Sequence, residues 1–359
     1  MARNRAASQS FNLYVGPTPA TGTHSATGAI KQIHRLRSIG GPEWSYTREN
    51  INIIGKLAAP FRDSLESPTV NLSFSYYLTD LENEASLGFD TAGASSCLGN
   101  ILQKTQDEKN YFILMVGEGV DAIGKGGADG QVLGIGNGVL SSYSIEGGVG
   151  DYATVNVSVE GLNLRGYLDG VSEEIPAINP TTGLQIQGIN FTLPTGTIGS
   201  GNKPFVIRPG DITVDLSNAS PLFVNITGLC VQSFNISFDL SREGIQCLGS
   251  KFDKAKELVF PIDVNFSVEV LGNDIKQASL TDFICNTGAY TASVTLRQPT
   301  CTGTGSVGAK FTLAGLSLNS ESFNLDVNDN QTVSINWAGQ ISASGDLANG
   351  LFMSGISSY

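Results

Sequence analysis

The side chains that could do acid–base or nucleophilic chemistry are few and poorly placed for it. Only 2 histidines occur in 359 residues, His24 and His34, and both lie in the N-terminal leader. A nucleophile–base–orienter triad would need one of them to reach a core serine or cysteine, and no Gly-x-Ser-x-Gly elbow accompanies them. No Cys/His cluster has zinc-ligand spacing. The stretch Gly119 to Gly126 approaches the phosphate-loop pattern with Lys125. It lacks the Ser or Thr that would hold Mg²⁺, and Gly126-Gly127 stand where a helix should begin. Asp326 to Asn330 gathers oxygen ligands without the glycine and distal glutamate of a calcium loop, so a β-turn explains it. Glu82 and Glu84 flank a turn with no sign of a cleft. These residues favour no enzyme, and no cofactor or metal is expected.

Composition points to a chain of many short strands. Charged residues are 15% and glycines number 43, which suits strands joined by tight turns and not a helical bundle. The net charge is −12, so a protein that grips nucleic acid by neutralising phosphates is not expected. The leader Met1 to Arg37 is the exception, with Arg3, Arg5, Lys31, Arg35 and Arg37 and no acidic residue. It reads as a solvated basic tail or as an arm that docks on an acidic surface of another copy. The start has no apolar core, so no secretory signal is expected. No apolar run of about 18 residues is present, so no membrane insertion is expected either. The 5 cysteines form no CxxC pair and read as reduced, mostly buried thiols.

The chain then repeats itself. Arg48-Glu49-Asn50-Ile51 returns as Arg242-Glu243-Gly244-Ile245, 194 residues later. The same offset takes Val70-Asn71-Leu72-Ser73-Phe74 to Val264-Asn265-Phe266-Ser267-Val268, and Phe89 to Phe283. Further on, Val149, Asp151, Thr154 and Val155 match Val327, Asp329, Thr332 and Val333 at an offset of 178. The second copy is therefore shorter by 16 residues between Phe89 and Val149, for which the glycine-rich stretch Gly117 to Gly138, read as a loop, is the natural place. A repeat of domain size suggests a symmetric assembly.

The elements that would carry these copies are mainly strands. Val70 to Tyr76, Val155 to Val159, Phe234 to Leu240, Val264 to Val270 and Val333 to Trp337 alternate apolar and polar residues, the pattern of half-buried strands. Tyr111 to Val116 is continuously apolar and reads as a strand buried on both faces. Trp44 and Trp337 fall in strand patterns and are expected in cores. One short helix per copy is expected, near Ala94 to Gln103 and near Ser279 to Asn286. The expected division is a first domain over 1–170, a Pro/Gly-rich linker or extended arm over 171–204, and a second domain over 205–359.

Residue order within the repeat resembles the tail-tube proteins of tailed bacteriophages. The resemblance rests on Asn52-Ile-Ile-Gly55, the charged loop Lys56 to Glu66, Val70 to Asp80, Asn83-Glu84 and Leu87-Gly-Phe89. The turn Gly150-Asp151 and the strand Thr154 to Val159 complete it. It covers Phe11 to about Gly170 and, less closely, Phe205 to about Gly345, where Gln277-Ala278 replace Asn83-Glu84. The resemblance implies a mainly β fold: two tandem β-sandwich or barrel domains, each flanked by a short α-helix. It implies homotrimeric, pseudo-hexameric rings stacked into the hollow tail of a virion, assembled in the host cytoplasm. Expected partners are further copies of the chain, the tape measure, the baseplate and the terminator. DNA would pass through the lumen without sequence-specific binding. By position, contacts to the adjacent ring would come from Arg3, Arg5, Arg35, Arg37, Lys56, Arg62, Asp63 and Glu66, and from Lys251, Asp253, Lys254, Lys256 and Glu257. Asn71, Ser73, Ser75, Asn265, Ser267 and Glu269 would line the lumen. The competing readings are another virion β-protein (terminator, baseplate hub or decoration protein) and a carbohydrate-binding module.

Overall fold

The computed structural model describes residues 10–18, 30–63, 66–104, 107–117, 119–198, 206–219, 230–271, 289–300, 305–324, 331–343 and 345–355. Arg3, Arg5, His24, the helix expected near Ser279 to Asn286, the Asp326 to Asn330 turn, Cys285 and Cys301 lie outside the described residues.

The chain is mainly β, as its alternating pattern predicts. The first half supplies β1 (Phe11–Pro17), β2 (Lys31–Gln32), β3 (Leu36–Ile39), β4 (Glu43–Ser45), β5 (Glu49–Ile51), β6 (Phe61–Asp63) and β7 (Thr69–Tyr77). It continues with β8 (Lys109–Val116), β9 (Gly130–Gly148), β10 (Asp151–Gly161) and β11 (Asn163–Leu168). The long strand β9 belongs to two sheets. Its first part lies between β8 and β11, with β1 beyond β8. Its second part pairs with β10, then β7, then the edge formed by β3 and β4. Alternation puts Val70, Leu72, Phe74 and Tyr76 of β7 in the space between the sheets, while Asn71 and Ser73 face out. The apolar run of β8 is buried almost throughout, because a second layer covers its outer face.

That layer is the segment expected to be a linker. Val171 to Leu193 folds as two nested hairpins: β12 (Val171–Glu174) pairs with β15 (Asn190–Thr192), and β13 (Ile178–Asn179) with β14 (Leu184–Gln185). Ile175, Ala177, Ile189, Phe191 and Leu193 close over Tyr14, Phe112, Leu114 and Val132, and Phe112 and Phe191 lie with ring centroids 4.4 Å apart. The polar backbone of this cap is held by Asn137, whose amide donates to the Ile178 carbonyl (3.2 Å) and whose side-chain oxygen accepts the Ile178 N–H (2.8 Å). The neighbouring glycines explain why Gly130 to Gly138 is strand and not loop. A Cβ on Gly136 would sit 2.3 Å from the Pro176 carbonyl oxygen, so glycine is what lets the cap lie on the sheet. Gly136→Ala is expected to cost about 1–3 kcal/mol through this overlap. Faster limited proteolysis within 177–190 would report it; unchanged cleavage would show that the cap does not depend on the contact.

The second half supplies β16 (Ile212–Asn218), β17 (Val231–Asp239), β18 (Arg242–Ile245), β19 (Ala255–Leu258) and β20 (Ile262–Leu271). It ends with β21 (Tyr290–Arg297), β22 (Val307–Asn324), β23 (Thr332–Ile341) and β24 (Gly350–Gly355). Its pairings follow the order of the first half. β16–β21–β22 corresponds to β1–β8–β9, β22–β23–β20–β17 to β9–β10–β7–β3, and β24 on β22 to β11 on β9. The hairpins β5–β6 and β18–β19 also correspond. The likeness extends to irregularities. The β9–β10 ladder slips between Ser158↔Ser142 and Val159↔Leu140, and the β22–β23 ladder slips between Asn336↔Ser320 and Trp337↔Leu318. All four residues are displaced by 178. The halves do not stand as separate sheets. β17 pairs with β9 from Ser233↔Gly148 to Asp239↔Ser142, joining them in one 16-stranded sheet with one main core.

The helices differ from expectation. Only Gly99–Leu102 (α2) of the stretch Ala94 to Gln103 is helical. The residues before it are drawn onto β24: Ala92 bridges Ser354, and the Cys97 N–H donates to the Leu351 carbonyl. A longer helix, α1 (Glu82–Leu87), forms where a turn is expected. Asp80 accepts its Glu82 N–H at 3.1 Å, and Gly88 ends it at φ 105°. No helix among the described residues is long and apolar enough to cross a membrane. Of the three described cysteines only Cys97 is buried; Cys230 and Cys247 are exposed, against the expectation of mostly buried thiols.

Candidate functional surface

Strand alternation and in-register pairing build one continuous polar face. A single rung reads Ser75–Asn156–Ser144–Ser237–Asn265 across β7, β10, β9, β17 and β20. The next reads Thr154–Glu146–Asn235–Ser267–Asn336–Ser320. The residues between them, such as Tyr76, Val155, Ile145, Ile236 and Phe266, point into the core. All six residues expected to share a lumen surface lie on this face. Asn71, Ser73 and Asn265 are exposed and Ser267 and Glu269 half-buried; Ser75 is covered by a 2.6 Å hydroxyl contact with Ser38. The face carries Glu146, Glu160, Asp239, Asp263 and Glu269. Lys256 pairs with Glu160 at 2.5 Å, while the exposed Arg37 reaches only the neutral Thr154 hydroxyl at 3.5 Å. It dips into an open groove of about 440 Å³ bordered by Arg37, Tyr77, Glu146, Asn235 and Glu269. Tyr77 and Tyr152 meet edge to face at 6.0 Å there, so they do not present a flat stacking platform.

Behind this face, α1 ties down the leader. Asn83 accepts the His34 N–H (2.9 Å) and donates to the His34 carbonyl (3.0 Å). Arg35 pairs with Asp80 at 3.2 Å with both side chains at most 4% exposed. Arg35 is therefore spent inside its own half, and the structure corrects its expected role as a contact to another ring. Glu84 is fully enclosed, with one carboxylate oxygen accepting the Tyr76 hydroxyl (2.7 Å) and the Tyr143 hydroxyl (3.0 Å). Burial drives its pKa up from 4.5 to about 7; the two hydroxyls oppose the shift without cancelling it. Burial likewise raises the pKa of Tyr76, with the Glu84 charge adding to it. Reading Glu82 and Glu84 as turn residues missed this network. Their spacing on one short helix beside Tyr76 was the available signal.

The two equivalent hairpins have different fates. β18–β19 lies against the first half. Arg242, 2% exposed, binds Asp107 through both terminal nitrogens (2.6 and 3.0 Å), and its Nε donates to the Leu140 carbonyl at 3.1 Å. Lys256 meets Glu160, Glu257 meets Lys104, and Ser250 donates to the Pro180 carbonyl of the cap (2.9 Å). Asp253 is buried within the hairpin, Lys251 packs beside Gly183 of the cap, and Lys254 is exposed. Lys256 and Glu257 thus join the two halves of one chain. Among the described residues β5–β6 has no such seat. Lys56, Arg62, Asp63 and Glu66 are all exposed, together with a run of apolar side chains: Tyr46, Ile51, Ile53, Ile54, Leu57 and Phe61. Trp44, expected in a core, is 66% exposed, because no strand lies beyond β4 among the described residues. Trp337 is buried as expected, its indole N–H donating to the Ala219 carbonyl at 2.9 Å.

Other candidate chemistry does not assemble. The Gly119 to Gly126 stretch leads into a single turn, where Asp129 accepts the Gly126 N–H at 2.8 Å, and no helix follows to face a phosphate. No group of three or more His, Cys, Asp or Glu placed to hold a metal occurs among the described residues. No protein-family model matches this chain, and no curated protein matches it either.

Proposed function

We propose that this chain is a structural subunit that polymerises as rings stacked into a hollow tube, a duplicated tail-tube protein of a tailed bacteriophage. The observation that carries this reading is the β17–β9 ladder. It joins the sheet of one half, edge to edge, to the sheet of a topologically equivalent half. A contact of that kind is heterologous, and repeating it between chains gives a closed ring or a helix. The continuous Ser/Asn/Glu face supports the same reading. A wall that is polar and predominantly acidic repels phosphate, so DNA would slide along it without sticking. Three chains would then supply six equivalent sheets, and the rings would act in the virion as a conduit for the genome. Negative-stain microscopy of the purified chain tests this directly. Stacked rings with a central channel and three-fold symmetry are expected; a dispersed monomer at all concentrations would overturn it.

A further inference from the structure

The two edges of the layer that carries the polar face are the equivalents of the two strands that meet in its middle. One end is the β3–β4 edge, which corresponds to β17. The other is the second part of β22, residues 317–324, which corresponds to β9 over 139–146. Among the described residues neither has a strand on its outer side. We propose that the β3–β4 edge of one copy pairs with the β22 edge of a second copy, in the register that β17 and β9 use within the chain. This rests on the ring reading only for closure. The pairing itself is argued from the repeated ladders.

The register follows from partners already described. Glu43 and Trp44 oppose Asn71 and Val70, as Ser237 and Phe238 oppose Asn265 and Val264. Ser237 and Phe238 in turn oppose Ser144 and Tyr143, whose counterparts on β22 are Ser322 and Glu321. Glu43 should therefore face Ser322 of the second copy, and Trp44 should face Glu321. Gly40 to Glu43 holds one residue more than the matching Asn235 to Ser237, which makes room for a bulge at Pro42, where the missing N–H costs no ladder bond.

Exposure makes the case independently. Phe238 is 2% exposed because it stacks on Tyr143 of the other half, 5.4 Å away; its counterpart Trp44 is 66% exposed. Arg242 is buried with its Nε on the Leu140 carbonyl; its counterpart Arg48 is exposed, and the counterpart of Leu140 is Leu318 at the β22 edge. The apolar side chains of the β5–β6 hairpin are exposed as well, whereas the equivalent hairpin β18–β19 is seated on the first half. A surface that is seated at one of two equivalent places and bare at the other fits the seat at the vacant end of another copy.

The test places cysteines at one predicted rung, Glu43→Cys and Ser322→Cys, and adds a short thiol–thiol crosslinker. The native cysteines are controlled for by the wild type and the two single variants. The double variant should give a covalent ladder ending in a closed species, with roughly tenfold or more product than either single variant, as expected when opposed side chains are held at high effective concentration. Trp44→Asp should keep the fold, read from the fluorescence of buried Trp337, and weaken assembly roughly thirtyfold or more, as loss of a central anchor does. Rings that form without the crosslink would overturn this pairing and leave the tube reading standing. A crosslinked ladder in particles that lack a channel would support the pairing and overturn the tube. A folded monomer that neither crosslinks nor assembles would overturn both.

Discussion

Arg242→Ala is expected to lower the stability of the folded chain by about 3–5 kcal/mol, the usual cost of removing one member of a buried ion pair. The guanidinium is 2% exposed and Asp107 15%, so the carboxylate left behind has little water to replace its partner. The loss extends beyond the pair. Arg242 also donates to the Leu140 carbonyl on β9 and to the Lys256 carbonyl across its own hairpin, so one side chain fastens β18–β19 to the first half. Denaturant unfolding followed by Trp337 fluorescence would measure the effect, because that residue lies in the second half of the shared core. Arg242→Met with Asp107→Leu should recover much of the loss, since no uncompensated charge then remains. A single variant within 1 kcal/mol of wild type (roughly the value of a surface pair) would mean that the junction does not depend on this ion pair.

The second large effect concerns pH. Glu84 has a folded-state pKa of about 7 against 4.5 for the free side chain, because its buried site disfavours the charge. The folded protein therefore holds this proton more tightly than the unfolded chain does. Stability from this group is highest below pH 4.5, declines as pH rises toward 7, and stays low above it. At about 1.4 kcal/mol per pH unit the difference amounts to about 3 kcal/mol. Glu84→Gln keeps an oxygen that can accept both tyrosine hydroxyls and removes the charge. It should flatten the decline between pH 5 and pH 8 and make the variant about 2–3 kcal/mol more stable than wild type at pH 8. Denaturant midpoints at several pH values would show this; parallel curves for the two proteins would show that Glu84 does not titrate in that window. Glu84 lies at the centre of the core behind the polar face, bridging Tyr76 of β7 and Tyr143 of β9. The sheet that would form the wall is thus expected to loosen as pH rises through 7.

Much of the fold was legible in the residues because strand patterns are local. Period-two alternation marks β7, β10, β17, β20 and β23, and the same alternation dictates which side chains share the polar face, so Asn71 and Asn265 could be placed together without coordinates. Glycine misled twice, for a steric reason. Gly134 and Gly136 look like loop residues, yet they are strand residues that leave space for Pro176. The segment after Gly170 reads as a linker because its strands are two to four residues long, too short for a periodic signal. The expected helix is shortened to Gly99–Leu102 because residues 92–97 are claimed by β24, about 250 positions away, and α1 was missed although Asp80 and Gly88 mark its ends.

The sequence by itself determined that this chain is β, that its second part echoes its first, and that its polar residues fall on strand faces. Each of these is written in short-range order: spacing of two along a strand, and similarity at a fixed offset. Only the tertiary structure decided how the two parts meet. It brings β17 against β9, so that Phe238 and Arg242 are covered while Trp44 and Arg48 are not. Corresponding residues receive unequal burial because β17 has β9 beside it, whereas among the described residues β4 has no strand on its outer side. No local pattern encodes that asymmetry; it follows from the geometry of joining edges.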